Sequence, residues 1–343
     1  MVKRSFAVRA ARITLGVLFG LFAMAGGALL YGVPMPGQSF AGSSPPLNAG
    51  EQRIELELRR HVDALAVAIG ERRATEGDSL QRAERYLQAQ LAPLTSQTGV
   101  SLRREALHDV PAPAANLVLD LAGQTSGPLV LIGAHYDSAP GGTPAANDNG
   151  SGSAAALVLA QRLAAVPHAL PLRVVLFANE EMPYFGTESM GSLQHARACK
   201  ARGERLRAVF SLETMGYFSD TPGSQRYPSP LSGLYPDRGN FIGFVGNLAS
   251  RSLVREAIGH FREHASVASE GAALPSALPG IGWSDHWAFW QVGYPAVMVT
   301  DTALFRDPRY HQLSDTPEHI DFERLTRVVV GLQAMILELA RAD

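Results

Sequence analysis

Over residues 51–70 apolar side chains recur at helical spacing: Ile54, Leu56, Leu58, Val62, Leu65, Ala66 and Ile69, ahead of Gly70. A second amphipathic helix opens at Asp78-Ser79 and carries Ala83, Tyr86, Leu87 and Leu91. From Val100 the period changes. Short apolar runs at 100–107, 116–121, 128–133, 172–178, 206–212, 241–245 and 296–300 predict strands. Stretches at 151–165, 186–200, 248–264 and 322–340 predict helices. This alternation implies an α/β fold, with a mostly parallel, mixed central sheet and helices on both faces in three layers. In such sheets ligands gather outside the C-terminal ends of strands.

The first 34 residues follow another rule. Lys3, Arg4, Arg9 and Arg12 precede an uncharged run over 13–33. About 20 apolar residues suffice for a helix to cross a bilayer. The basic flank stays cytoplasmic, which places the rest of the chain on the far side. Ala23-Met24-Ala25 offers a signal-peptidase site, so secretion after cleavage near Ala25 is the alternative. The apolar run continues past that site, which favours an anchor. The expected organisation is a signal-anchor or transmembrane segment over 1–34, a Pro-, Gly- and Ser-rich linker over 35–50, and one domain over 51–343.

Composition narrows the chemistry. The formal net charge is −2 and no basic block follows the N-terminus, so nucleic acid is not an expected partner. Cys199 stands alone, which excludes an internal disulfide, a thiolate metal site and a CxxC centre. It reads as an ordinary thiol.

The polar motifs fall at predicted strand ends. Gly133-Ala134-His135-Tyr136-Asp137-Ser138 follows one strand, Glu180-Glu181 the next and Glu213 the one after; His311 lies in the loop beyond Thr300. In His135-Tyr136-Asp137 alternate residues share a face. Asp137 can then reach the far ring nitrogen of His135, fixing its tautomer and raising its basicity as a ligand. A helix N-cap would account for Asp148 alone. It does not account for the crowding of Asn147-Asp148-Asn149-Gly150-Ser151-Gly152, where a carboxylate can bridge two cations.

Glu180 and Glu181, at the end of an apolar strand, repel each other unless positive charge lies nearby. A solvated pair is the plain alternative. With a cation present, one glutamate ligates while its neighbour moves protons. Glu213 either caps the turn after its strand or completes a metal shell. His311 alone would pass for a surface histidine, and the remaining histidines lack comparable context. Two histidines and three carboxylates are too many for one tetrahedral zinc and suit two ions sharing a ligand. Three carboxylates and a bridging hydroxide also neutralise two divalent cations.

Trp283, Trp287 and Trp290 surround Ser284-Asp285-His286. Either they pack a short helix capped by Ser284, or some line a substrate pocket with Asp285 facing the site. Tyr184 and Tyr310 join Trp283 and Asp285 as candidate pocket residues.

Together these pieces resemble the M28 family of zinc peptidases, the aminopeptidase Y and bacterial leucyl-aminopeptidase group. The resemblance rests on the motifs at 133–138 and 147–152, on Asn179-Glu180-Glu181, Leu212-Glu213-Thr214-Met215-Gly216 and Ser284-Asp285-His286, and on Tyr310-His311 before Ser314-Asp315-Thr316. It implies the zinc-peptidase fold, with His135, Asp148 and Glu213 on one zinc and Asp148, Glu181 and His311 on the other. Asp148 would bridge, Glu180 would be the general base and Asp137 would support His135. Two departures stand out. Many members carry Asp where Glu213 stands, and the stretch Met182-Pro183-Tyr184-Phe185-Gly186 replaces a more usual Gly- and Leu-containing run.

The expected function is thus a membrane-anchored, extracytoplasmic di-zinc metallopeptidase, an aminopeptidase acting on peptides. One alternative is a glutaminyl-peptide cyclotransferase, a related fold with one zinc. Carboxypeptidase or dipeptidase action is a further option. A non-catalytic membrane receptor or scaffold would have lost ligands, and none is lost here.

Overall fold

The apolar runs become eight strands of one sheet in the computed structural model, which describes residues 26–341 except 28, 30, 76 and 230. In chain order they are β1 (Val100–Ala106), β2 (Ala115–Leu121), β3 (Leu129–His135), β4 (Leu172–Phe177), β5 (Leu206–Glu213), β6 (Phe241–Asn247), β7 (Ala268–Leu274) and β8 (Ala296–Thr300). Their spatial order is β1-β2-β4-β3-β5-β8-β6-β7. The central four, β4-β3-β5-β8, run parallel, while β1, β2 and β6 join antiparallel to a neighbour. Central strands buried on both faces read as unbroken apolar runs. The partly exposed edge strand β1 carries Arg103, Arg104 and Glu105, charges that discourage edge pairing.

Both faces are covered. Helices α1 (Ala49–Asp63), α2 (Ser79–Leu91), α3 (Gly152–Ala164), α5 (Arg251–His264) and α7 (Phe322–Leu339) pack on one face; α4 (Gly191–Ala201) and α6 (His286–Gln291) pack on the other. Alternation within β2 and β3 serves the two cores. Leu117, Leu119, Val130 and Ile132 face the first, Val118 and Leu131 the second. Helix α3 is apolar all round because it lies between the sheet and other helices. From β3 the chain crosses to β4 on one side, then returns to β5 on the other. The loops leaving these strands diverge, and a crevice opens at their C-terminal ends.

Differences from expectation have local causes. β7, with the sequence Ala-Ser-Glu-Gly-Ala-Ala-Leu, lacks the β-branched and aromatic residues that mark a strand. It forms as a parallel edge partner of β6. The helix expected from Gly186 begins only at Gly191, since Gly186 adopts φ +71° and ends a turn. Helix α1 starts two residues before its apolar pattern, where Asn48 and Glu51 form a reciprocal capping box. Its continuation, Ala64–Ile69, stops as expected at Gly70, with φ +81°.

The Pro- and Ser-rich stretch read as a linker lies along α5 and the β7 edge. Arg262 donates to the carbonyls of Pro36 and Gly37, and Arg255 to that of Pro34. Ser39 Oγ accepts from Ser269 N at 2.9 Å. Residues 1–25, with the basic flank and most of the apolar run, lie outside the described residues. Among the described residues no helix is long and apolar enough to cross a membrane, so the expected N-terminal transmembrane helix finds no support.

The segment between α1 and α2 is bound into the domain by Arg72, which is fully buried. Its guanidinium donates to five carbonyls: Tyr136 and Ala145 at 2.8 Å, Pro144 at 2.8 Å, Gly70 at 2.9 Å and Leu65 at 3.1 Å. Its main chain exchanges hydrogen bonds with Ser138. Burial lowers its pKa to about 10, so it remains charged. Arg72 thereby ties the loop after β3 to the N-terminal helices. Arg72→Met should leave several of these carbonyls unpaired, at about 1–3 kcal/mol each. A fall in folding stability of at least about 3 kcal/mol is expected in urea denaturation of the purified protein.

Candidate metal centre

His135 ends β3 beside Phe177 of β4, and Glu213 ends β5 beside Thr300 of β8. Both side chains are buried. His135 Nε2 lies 3.1 Å from Glu213 Oε2, 3.5 Å from Asp148 Oδ1 and 3.8 Å from Glu180 Oε2. The Nδ1 side of the ring faces Asp137, at 3.3 Å from its carbonyl oxygen and 3.5 Å from Oδ1. The Asp137 carboxylate also accepts from Glu180 N at 3.1 Å and Glu181 N at 3.0 Å. One aspartate therefore steadies the imidazole and aims both glutamates.

Asp148 sits in a turn, Ala146–Ser151, ahead of α3. The two Asp315 oxygens accept from Asn147 N at 2.8 Å and Asp148 N at 3.0 Å. Asn147 Nδ2 donates to Asp301 at 2.8 Å, and Asn149 Nδ2 to the Leu212 carbonyl at 2.7 Å. A Cβ on Gly152 would fall 2.2 Å from Asn149 Oδ1 and 2.5 Å from Leu212 O, so only glycine fits without rearrangement. The crowded motif is thus a staple. Its asparagines fasten the turn to the end of β5 and leave Asp148 facing inward.

The second histidine completes the arrangement. His311 Nε2 lies 2.9 Å from Asp148 Oδ2 and 3.4 Å from Glu181 Oε2. Two groups result, His135-Asp148-Glu213 and Asp148-Glu181-His311, each with its ligand atoms within 4.8 Å of one another. They share Asp148. Despite these short distances, Asp148 Oδ2, Glu181 Oε1 and His311 Nε2 have no aligned hydrogen-bond partner among the described residues. Buried polar atoms are rarely left so. Imidazole and carboxylate atoms converging in this way fit a divalent cation such as zinc, cobalt or manganese.

Electrostatics point the same way. Burial raises Glu180 well above the usual carboxylate range and Glu181 to about 7, with the Asp148 charge adding to the second. Burial also lifts Asp285 to about 7. Burial disfavours the charged form of His311, yet Asp148 and Glu181 raise it to about 10. Each of these shifts favours added positive charge; Asp148 moves the other way, since its burial is outweighed by His311 and His135, which hold it below the usual carboxylate range.

Beside the cluster opens a largely apolar cavity of about 100 Å³, with Glu213, Trp283 and Tyr310 in its wall. The Tyr310 ring stacks on His311 with centroids 3.8 Å apart. Of the tryptophans, Trp287 packs against Phe185, and Trp290 donates to the Ala296 carbonyl. Trp283 is half exposed. Ser284 does not cap α6, as the sequence suggested. Its hydroxyl donates to Glu213 Oε2 at 2.7 Å and so holds the longer arm of that glutamate. Asp285 is buried beside Ser192, near enough to Glu180 to raise its pKa, but outside the cavity wall. Tyr184 also lies outside that wall, its N–H donating to the Glu181 carbonyl at 2.9 Å.

Sequence reasoning did not assign roles to Asp301, Asp315 or the two asparagines, and offered Ser284 only as a helix cap. Asp315 and Ser284 lie within motifs already marked, which was the available signal. Nothing local in Glu71-Arg72-Arg73 marks Arg72.

Residues 116–335 match peptidase family M28. The chain is 34% identical over 304 residues to the uncharacterised protein YfbL of Escherichia coli (strain K12), covering 85% of this chain and 90% of the relative. It is 28% identical to aminopeptidase YwaD of Bacillus subtilis (strain 168), covering 63% and 42% respectively. Among solved structures, LapB of Legionella pneumophila superposes with a TM-score of 0.68 at 19% identity, covering 88% of this chain and 78% of LapB. A glutaminyl cyclase of Fimbriiglobus ruber gives 0.61 at 20% identity, covering 89% and 99%. The fold is shared with both structures, and the chain belongs to peptidase family M28.

Proposed function

We propose that the chain is a di-zinc aminopeptidase that removes N-terminal residues from peptides. The observation carrying this reading is the pair of ligand groups sharing Asp148, with orphaned ligand atoms, at the edge of an apolar cavity. His135, Asp148 and Glu213 would hold one ion, and Asp148, Glu181 and His311 the other. Ions there would polarise the scissile carbonyl, acidify a water and offset charge on the oxyanion.

Glu180 belongs to neither group, yet its carboxylate stands 3.8 Å from His135 Nε2. Its main chain is pinned by Asp137, so the side chain is aimed rather than free. In this reading Glu180 takes a proton from the attacking water and passes it to the departing amine. Asp137 positions Glu180, Glu181 and His135 together. The cavity accepts a substrate side chain and excludes water from it.

We further propose one peptidase domain over 51–343, with the preceding apolar run over 13–33 holding it to a membrane. The basic residues before that run favour an extracytoplasmic domain. A second reading has a specific basis, because glutaminyl cyclases share the fold over nearly their whole length. A single-zinc cyclase would act on N-terminal glutamine instead of releasing a residue.

Glu180→Gln should retain bound metal and lose turnover of free-amine peptides by ~10²–10⁴-fold. Near-normal turnover in that variant would remove Glu180 from its role. Metal analysis of the purified protein should give two ions per chain, with peptide cleavage abolished by a chelator. One tightly bound ion together with cyclisation of N-terminal glutamine would favour the cyclase.

A further inference from the structure

The cavity beside the metal centre is lined by one row of the sheet. Glu213 of β5 pairs with Thr300 of β8, Thr300 with Gly243 of β6, and Gly243 with Glu270 of β7. All four residues lie in the cavity wall. Three inter-strand gaps of about 4.8 Å separate the ends of this row by roughly 14 Å. A proposed metal ligand therefore stands at one end and a second carboxylate at the other. Gly243, between them, leaves the floor open.

Most other polar groups of the far wall are spent internally. Gln225 Nε2 donates to the Arg226 carbonyl at 2.9 Å, and its Oε1 accepts from Arg306 at 2.8 Å. Tyr227 donates its hydroxyl to the Pro236 carbonyl at 2.6 Å, and Tyr235 donates to that of Gly271 at 3.0 Å. The two tyrosine rings stack, with centroids 5.6 Å apart, and both residues line the cavity. Arg226 is exposed, and its guanidinium donates to Leu304 O.

Glu270 differs. Its partner is Arg262, 3.8 Å away, whose guanidinium is engaged with Ser269, Pro36 and Gly37. That arginine donates no hydrogen bond to the Glu270 carboxylate at this distance. A carboxylate and a stacked pair of tyrosines in the wall of a largely apolar trough suit a cation carried on an apolar stem.

We infer that Glu270 makes this trough a specificity pocket for a basic N-terminal side chain, that of lysine or arginine. The inference rests on the aminopeptidase reading for its reaction, but the pocket's preference can be measured without turnover. The ends of the row lie within the combined reach of such a side chain and the Glu270 arm.

The test compares lysyl- and norleucyl-4-nitroanilide, which share a stem and differ by the terminal ammonium. With the full-length zinc-loaded protein, lysine should be preferred in kcat/KM. Glu270→Gln should lower the lysine-to-norleucine ratio by about tenfold or more, and Glu270→Leu should reverse it. A ratio unchanged in both variants, or a wild-type preference for norleucine, overturns the inference. Binding of free L-lysine and L-norleucine, read from tryptophan fluorescence, separates this question from catalysis. If neither nitroanilide is cleaved, the aminopeptidase reading fails. The pocket assignment then stands only if lysine binds more tightly than norleucine and Glu270→Gln removes the difference.

Discussion

Carboxylates buried within a few ångströms of one another stay together only if positive charge lies among them. That constraint governs the centre of this protein. Asp137, Asp148, Glu180, Glu181, Glu213 and Asp285 are all buried around the ends of β3, β4 and β5. Arg72, the buried guanidinium behind them, is occupied with main-chain carbonyls. A bound cation would relieve this crowding, and the orphaned atoms of Asp148, Glu181 and His311 offer a place for one.

The scaffold answers that repulsion by fixing backbone rather than side chains. Asp137 accepts from the main chain of both glutamates, and Asp315 from that of Asn147 and Asp148. In each case an acid spends its charge on N–H dipoles and turns a neighbouring carboxylate toward the centre. Arg72 works in the opposite sense, gathering carbonyls from the loop after β3 and from the N-terminal helices. The helical segment before β1 is thus part of what shapes the site.

Much of this was legible in the sequence. The central strands announce themselves because burial on both faces demands unbroken apolar runs. Candidate site residues at strand ends interrupt those runs: His135, Glu180-Glu181 and Glu213. The ligand turn was visible too, because packing an asparagine staple against β5 requires Gly152. What could not be read depends on distance along the chain. Arg72 meets Ala145 across 73 positions, and Ser284 meets Glu213 across 71. Neither encounter leaves a local pattern. β7 escaped for a different reason. Small residues suffice at an edge covered by residues 34–39, and they carry no strand signature.

The histidines flanking Asp148 are unequal. His135 is buried at the C-terminal end of the central strand β3, with its ring held by Asp137. His311 rides on an irregular loop, and about a third of its side chain is open to solvent. A pair of ions seated here would accordingly leave at different rates, the one beside His311 exchanging first. Protein taken through dialysis would then pass through a half-loaded form, and the measured stoichiometry would record its handling as well as its design.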